Sequence, residues 1–470
     1  MRKFIIGVYV FLIFSLIGCS VPFDEQLILP GAQASIQDHS SDIIPVEEAL
    51  SNLRTTMEAI TGTERTRSLY TDNTLSIQDI QISGGKQATR STEYVLPDTM
   101  VYVVNFTDEK GFAVLGALRS LEPVYAITES GSFDAEKLNA AIAQAQRQAL
   151  ESQPKQIDDS KAFDPIGVDY VYTLLANALV APRISGPTSE IISVSYGPLD
   201  ITKTVGPLVQ TKWGQGYPFN MYKDLCPELA DDEKNKGRYP AGCGMVAMAQ
   251  IMNYTRIPAK APAQNLYYWA AFQNISTYKN YTLFKPTSYP ANVNANLQAQ
   301  TKELAEVLDY MGDLFGAYPY GTDTYVTPGN VFDALKRLDP YFLYAKLEEI
   351  DKIGMDPIYQ SIDDNKPVYI SGRSTQNTGH TWVADGYSEG SRKVYTKLRW
   401  EPGGYTSTQI TTEKVKLLHF NWGYQGESDG YFFEGIFDMM DREYRDPIDT
   451  DYHAYENLGN YYIRTNVIIY

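Results

Sequence analysis

The stretch Arg238-Tyr239-Pro240-Ala241-Gly242-Cys243-Gly244-Met245-Val246-Ala247-Met248-Ala249-Gln250 constrains the chain more than any other. Pro240 and Gly242 make a tight turn. After it, Met245, Met248, Ala249 and Met252 recur at helical spacing, which predicts a helix with a buried face. The turn delivers Cys243 into the first helical turn, where unpaired backbone N–H groups and the helix dipole favour a thiolate. A lone cysteine on a small-residue helix is more often a packed core thiol. The nucleophile reading therefore depends on partners elsewhere in the chain.

With 470 residues, the chain is long enough for a sizeable core and two or three domains. A formal charge of -17 argues against a nucleic-acid partner. The cysteines are Cys19, Cys226 and Cys243. If Cys19 serves export, at most one disulfide remains, between Cys226 and Cys243, and the chain is no disulfide-stapled scaffold. The histidines, His39, His380, His419 and His453, form no local metal motif, so neither a metal nor a cofactor is expected.

Taken in order, residues 1–19 read as a targeting segment: Met1-Arg2-Lys3, an apolar run from Phe4 to Ile17, then Gly18-Cys19. The ending resembles a bacterial lipoprotein processing site, which implies lipid on Cys19, export to the cell envelope and a membrane tie through the N-terminus. Residues 20–42 suit a flexible tether. Over 43–152 the pattern predicts a small α+β domain, with helices at Pro45–Ile60 and Asp134–Ser152. Its strands fall near Tyr94–Leu96, Met100–Phe106, Gly111–Gly116 and Val124–Ile127. Residues 153–190 read as an exposed linker, richest in turn formers at Ala181–Glu190. In 191–470, helical patterns give way to β patterns at Val368–Gly372, Thr381–Gly386, Lys416–Trp422, Gly430–Phe432 and Tyr461–Tyr470. The picture is a helical lobe bearing Cys243 that faces a β lobe bearing His380.

A nucleophilic cysteine needs a base, a group to orient the base, and donors for an oxyanion. His380 opens a strand after Asn377-Thr378-Gly379 and is the preferred base; His419, between Leu418 and Phe420, reads as structural. Asn421 has a carbonyl that can orient the imidazole, with Trp422 shielding that bond. Gln215, in a turn between two glycines, can donate to an oxyanion together with the Cys243 N–H. Each is weak alone; the set of four supplies every role.

These segments resemble the streptopain-like family of papain-fold cysteine proteases. Thr211–Asn220 is similar to the family's oxyanion glutamine segment, and Ala241–Tyr254 to its nucleophile helix. Gly379-His380 with Val383–Gly386 resembles its histidine strand, and Phe420–Phe432 its Asn-Trp-Gly segment. Upstream, Tyr102–Phe106, Gly111–Gly116 and Gly131–Asp134 resemble parts of its inhibitory propeptide. Departures are Pro240, Thr381-Trp382, the 318–326 loop and an added hairpin over Ser391–Lys416.

The resemblance implies an α+β, two-lobe papain-like catalytic domain over 191–470, behind a prodomain over 43–152 that inhibits it. It also implies a zymogen cut within the linker, protein or peptide substrates, no cofactor, and a catalytic domain released after processing. Trp382, Tyr320 and Tyr325 are the expected substrate-binding residues. Two other readings stand beside this one: a catalytically silent, peptide-binding surface lipoprotein, and an acyl-transfer amidase or transglutaminase.

Overall fold

The computed structural model describes residues 43–62, 76–81, 87–89, 92–94, 99–107, 110–133, 185–186, 189–232, 234–258, 269, 272, 291–373, 379–400, 403–433 and 464–470. Cys19 and the targeting segment, the tether, the helix expected at 134–152, most of 153–190, His39 and His453 lie outside them. Residues 86–95 group with 1–37 as one unit, in which Gln87–Thr89 and Thr92–Tyr94 pair as an antiparallel ribbon. Everything below concerns the other unit, 38–85 with 96–470.

Its N-terminal part begins with α1 (Val46–Thr61), where Ala49, Leu53 and Met57 recur every fourth residue and are buried. Glu47 and Glu48 occupy the first turn, where the helix dipole favours anions. The antiparallel strands β1 (Ser76–Gln81), β2 (Thr99–Asn105), β3 (Phe112–Gly116) and β4 (Ala126–Thr128) follow. Side chains alternate between the two faces of this sheet. Tyr102, Val104, Ala113 and Leu115 pack with Leu53 and Met57 of α1, while Val103, Phe112 and Val114 enter a different core.

The C-terminal part contains β5 (Ser189–Tyr196), β6 (Asp200–Val205), α2 (Cys243–Thr255) and α3 (Ala291–Phe315). A small hairpin of β7 (Tyr318–Tyr320) and β8 (Asp323–Tyr325) replaces the expected loop. Then come α4 (Pro328–Leu338), β9 (Lys346–Glu349), α5 (Asp356–Asp363), β10 (Val368–Arg373), β11 (Gly379–Trp400), β12 (Thr406–Asn421), β13 (Gly430–Phe433) and β14 (Arg464–Ile469). Ser391 to Lys416 forms a hairpin of long arms, as expected, with β5 and β6 paired along the outer side of β11.

The two parts share one sheet. Its order runs β1-β2-β3-β4-β13-β12-β11-β10-β14-β9, with the junction at β4–β13, where Ala126, Ile127 and Thr128 pair with Phe432, Tyr431 and Gly430. A β-carbon on Gly430 would lie 2.6 Å from the Thr128 Cα, so only glycine admits the strand this close.

Residues 368–370 of β10, residues 380–388 of β11, and Val467 and Ile468 of β14 are buried on both faces. Val368, Ile370, Trp382, Ala384 and Val467 point into a core shared with Phe420, Trp422, Phe432 and the N-terminal Phe112 and Val114. Tyr369, Val383 and Ile468 point the other way, toward α2, α3 and α4. Helix α2 thus lies between sheet and helices. Every residue from Gly244 to Asn253 is buried, not only the one face its spacing suggests.

Candidate active site

The cysteine turn is held from three directions. Gly242, at φ 96° and ψ 130°, ends the turn with no side-chain cap, so the first N–H groups of α2 are left without one. The Ala241 N–H donates to the Gln215 carbonyl at 2.7 Å, which ties the glutamine segment to the cysteine turn. The Thr324 hydroxyl donates to the Pro240 carbonyl at 2.7 Å and anchors the β7–β8 hairpin there. A β-carbon on Gly244 would lie 2.5 Å from Val326 Cγ1 and 3.1 Å from the Tyr369 hydroxyl, which forces a glycine where α2 meets the sheet. The Gln215 side chain is part-exposed, and among the described residues its amide has no hydrogen-bond partner.

Cys243 and Cys226 are both free thiols. Burial pushes the Cys243 thiol up; hydrogen bonds with Thr381 offset part of that shift, and the negative charge of Asp323 adds to it. The thiol is therefore protonated at neutral pH. This differs from the thiolate that the helix terminus alone favours, because desolvation outweighs the dipole.

His380 lies on the other side of β11. Thr381, beside the thiol, and His380 are consecutive residues of one strand, so their side chains leave opposite faces. His380 is buried among aromatic rings. The Tyr424 ring is parallel to the imidazole at 4.9 Å and 7°, with Trp382 at 6.1 Å and Trp422 at 6.2 Å. Nε2 is 2.9 Å from the Trp422 carbonyl oxygen. A carbonyl only accepts, so Nε2 carries the proton, and Nδ1 accepts from the Tyr424 hydroxyl at 3.3 Å. Burial pushes the imidazole down to about 3; the Trp422 carbonyl opposes the shift, and the charge of Lys234 reinforces it. The ring is neutral.

Asn421 does not orient that ring in this structure. Its Oδ1 accepts from Gln250 Nε2 at 2.9 Å and from the Gly423 N–H at 3.2 Å. Its amide donates to the Thr211 carbonyl at 2.8 Å. It ties β12 to α2, and the neighbouring backbone carbonyl of Trp422 serves the histidine instead. Trp382 is also placed differently from its expected substrate role. It is 1% exposed, in the core beneath His380, because strand alternation turns it inward with His380. Tyr320 is exposed, and its ring lies tilted against Tyr325, centroids 6.4 Å apart, on the hairpin anchored to the cysteine turn. His419 is buried, with Nδ1 2.6 Å from Asp385 Oδ1.

Four residues of the site carried no functional signal in the sequence. Thr381 registers only as a departure from the family pattern. Tyr424 sits in a turn where aromatics are common, and Asp323 lies in the glycine/tyrosine-rich loop. Lys234, 5.4 Å above the Tyr424 ring, belongs to a run of charges that reads as solvated surface.

A cysteine at a helix N-terminus, packed on an antiparallel sheet that carries a histidine, gives the site an α+β framework. Residues 213–432, which hold Gln215, Cys243, His380 and Asn421, match the Peptidase C10 family. That segment is homologous to the streptopain-like peptidases. The thiol protease/hemagglutinin PrtT of Porphyromonas gingivalis is 23% identical over 362 residues, covering 72% of this chain and 34% of that protein. The chain thus spans about a third of that relative's length. Among solved structures, a fragment of Prevotella intermedia prointerpain A superposes with a TM-score of 0.42 at 16% identity, over 84% of this chain and 98% of that fragment.

Proposed function

We propose that the chain is a cysteine endopeptidase made as a latent zymogen, with its N-terminal part as an intramolecular inhibitor. The observation that carries this reading is the division of thiol and imidazole between the two faces of β11: the parts are present, and side-chain orientation keeps them apart. In the assembled state His380 takes the Cys243 proton, and the thiolate attacks the scissile carbonyl carbon. The carbonyl π pair moves to oxygen, where the Gln215 amide and the Cys243 N–H receive it. As the tetrahedral species collapses, the C–N bond breaks and the imidazolium protonates the leaving amine, giving a thioester. His380 then takes a proton from water; the hydroxide displaces the thiolate and releases the acid. Asn421 holds the imidazole once the ring has turned. Tyr320 and Tyr325 line the substrate side of the cysteine turn.

The test is incubation with an unstructured protein under reducing conditions, with and without a thiol-directed epoxide, and with Cys243→Ala as control. N-terminal sequencing of matured material locates the cut within 153–190. Epoxide-sensitive cleavage supports the reading. Its absence after maturation would leave a silent peptide-binding lipoprotein or an acyl-transfer enzyme.

The same proposal tethers the precursor to the cell envelope by lipid on Cys19, which the pattern Gly18-Cys19 after an apolar run supports. Incorporation of labelled fatty acid, lost in Cys19→Ser, is the expected result; equal labelling of both would sink it.

A further inference from the structure

In the β7–β8 hairpin, Tyr318 pairs with Tyr325 and Tyr320 with Asp323. Side chains alternate along a strand, and directly paired residues share a face. Tyr318, Tyr320, Asp323 and Tyr325 therefore project from one side of the hairpin. Pro319 and Thr324 take the other, where the Thr324 hydroxyl holds the Pro240 carbonyl just before Cys243. The Tyr318 and Tyr320 rings lie 5.5 Å and 6.4 Å from the Tyr325 ring, and these two outer tyrosines are 47% and 58% exposed. Asp323 is exposed among them, and among the described residues its carboxylate has no hydrogen-bond or ion-pair partner. The tyrosine face lies toward the thiol. The charge of Asp323 acts on Cys243, and Tyr325 acts on Tyr369, whose hydroxyl would lie 3.1 Å from a β-carbon on Gly244.

We propose that Tyr318, Tyr320, Asp323 and Tyr325 form a subsite for a basic side chain, lysine or arginine, of a peptide substrate near the scissile bond. This rests on the endopeptidase reading above. Exposed aromatic faces attract a cation through the ring quadrupole, and a carboxylate among them adds a formal opposite charge. Lysine and arginine present an apolar stem that packs on rings and a cationic head that reaches Asp323. An apolar side chain leaves that carboxylate facing hydrocarbon, and an acidic one meets a like charge. The surrounding protein holds the Asp323 carboxyl above its ordinary value, and the charge of Lys234 offsets this only in part. Lys234 itself lies over the Tyr424 ring at 5.4 Å, so the hairpin face is left to a second cation. The 318–326 stretch departs from the streptopain-like pattern, which makes the preference this chain's own.

The experiment gives matured enzyme internally quenched peptides of one sequence, with Lys, Gln or Glu placed in turn at each position flanking the cut, and compares kcat/KM. At one position Lys is expected to exceed Gln about tenfold, with Glu lowest, and the preference should shrink as salt is raised. Asp323→Asn should cut the Lys/Gln ratio about fivefold, leaving the rings alone, and Tyr320→Ala about twofold. In Asp323→Lys, Glu should become the preferred residue. Because Asp323 also acts on the thiol, absolute rates shift with it; a ratio of two peptides on one variant cancels that effect.

A parental Lys/Gln ratio in Asp323→Asn, or no position at which the unmutated enzyme prefers Lys, would overturn the proposal. Cleavage of none of the peptides would instead remove the endopeptidase reading, and the subsite is then judged by binding of the same peptides to the linker-cleaved protein. Tighter binding of Lys peptides than Gln peptides, lost in Asp323→Asn, would support the subsite; equal binding would sink it.

Discussion

Nε2 of His380 donates to the backbone carbonyl of Trp422 across 2.9 Å, while the side chain of Asn421, one residue earlier, turns into Gln250 of the cysteine helix. Adjacent residues of one strand thus serve opposite faces of the sheet. The Asn421–Gln250 pair binds β12 to α2 on the thiol's face, and the Trp422 carbonyl receives the imidazole on the other. The histidine's neutrality follows from this placement: in an aromatic core it has a carbonyl for its proton and a phenol for its lone pair.

That neutrality has a pH signature. The folded pKa of His380 is lowered to about 3, below its ordinary value of 6.5, so on acidification the unfolded chain takes up this proton first. Its contribution is present above about pH 6.5 and is lost as pH falls toward 3, at up to about 1.4 kcal/mol per unit. For His419, burial lowers the pKa, but the charge and hydrogen bond of Asp385, with Glu129 and Asp429 behind them, outweigh it and the net shift is upward. Its contribution is present below the ordinary value and is lost as pH rises through the folded one. Asp429, raised by burial to about 6, gains stability on acidification and partly masks the His380 limb, so variants must be compared with the parent. Urea unfolding across pH should show His380→Gln flattening the acid limb and His419→Gln losing stability chiefly on the acid side of neutral. Parallel curves for parent and both variants would contradict these placements.

Gln215→Ala separates chemistry from folding. The side chain is part-exposed and has no hydrogen-bond partner among the described residues, so its loss leaves the melting temperature of the full chain unchanged. In matured enzyme, kcat should fall about 10²- to 10³-fold with KM little altered, the cost of one oxyanion donor. A rise in KM at constant kcat would make it a ground-state binding residue.

Asn421→Ala should do the reverse in the full chain. It leaves the Gln250 amide and the Thr211 carbonyl, both buried, short of a partner, a loss of about 1–3 kcal/mol. Urea melts should register it, whereas the imidazole nitrogen shifts of His380 stay at the parental values because Trp422 supplies that bond. A shifted His380 signal would show that Asn421 already acts on the ring in the latent state.

What was legible in the sequence follows from local physics. Cys243 at a helix start shows in Pro240, Gly242 and the methionine spacing, and the β half shows in its short apolar runs. The candidates for the four expected roles are readable because few other residue types can perform them. Their orientation is not. His380 and Thr381 differ by one position along β11, and no composition rule says which face will hold the thiol. Trp382 illustrates the same limit, since a tryptophan after a strand histidine reads alike whether it lines a cleft or a core. The β4–β13 junction joins residues about three hundred positions apart and leaves no local pattern in the sequence. The β7–β8 hairpin is missed because three-residue strands are too short for alternation to register.

The shared sheet bears on what a cut in the linker achieves. β4 and β13 are hydrogen-bonded neighbours, and Phe112, Val114 and Tyr125 share one core with Trp382, Phe420 and Phe432. Arg392, 4% exposed, reaches Glu122 of the N-terminal part and Glu413 of β12, with its guanidinium 3.9 Å over the Tyr196 ring. Separating the parts would open a strand edge, expose aromatic side chains and strand a buried cation, each unfavourable in water. After cleavage within 153–190, the two pieces should therefore co-elute as one species in size-exclusion chromatography and part only in denaturant. Release would then need a second cut inside the N-terminal part. Arg392→Met keeps the length while removing the charge, and should shift the denaturant midpoint of dissociation without altering the cut site. Spontaneous separation of the two pieces in native buffer after a single cut would refute the prediction and make linker cleavage sufficient for release.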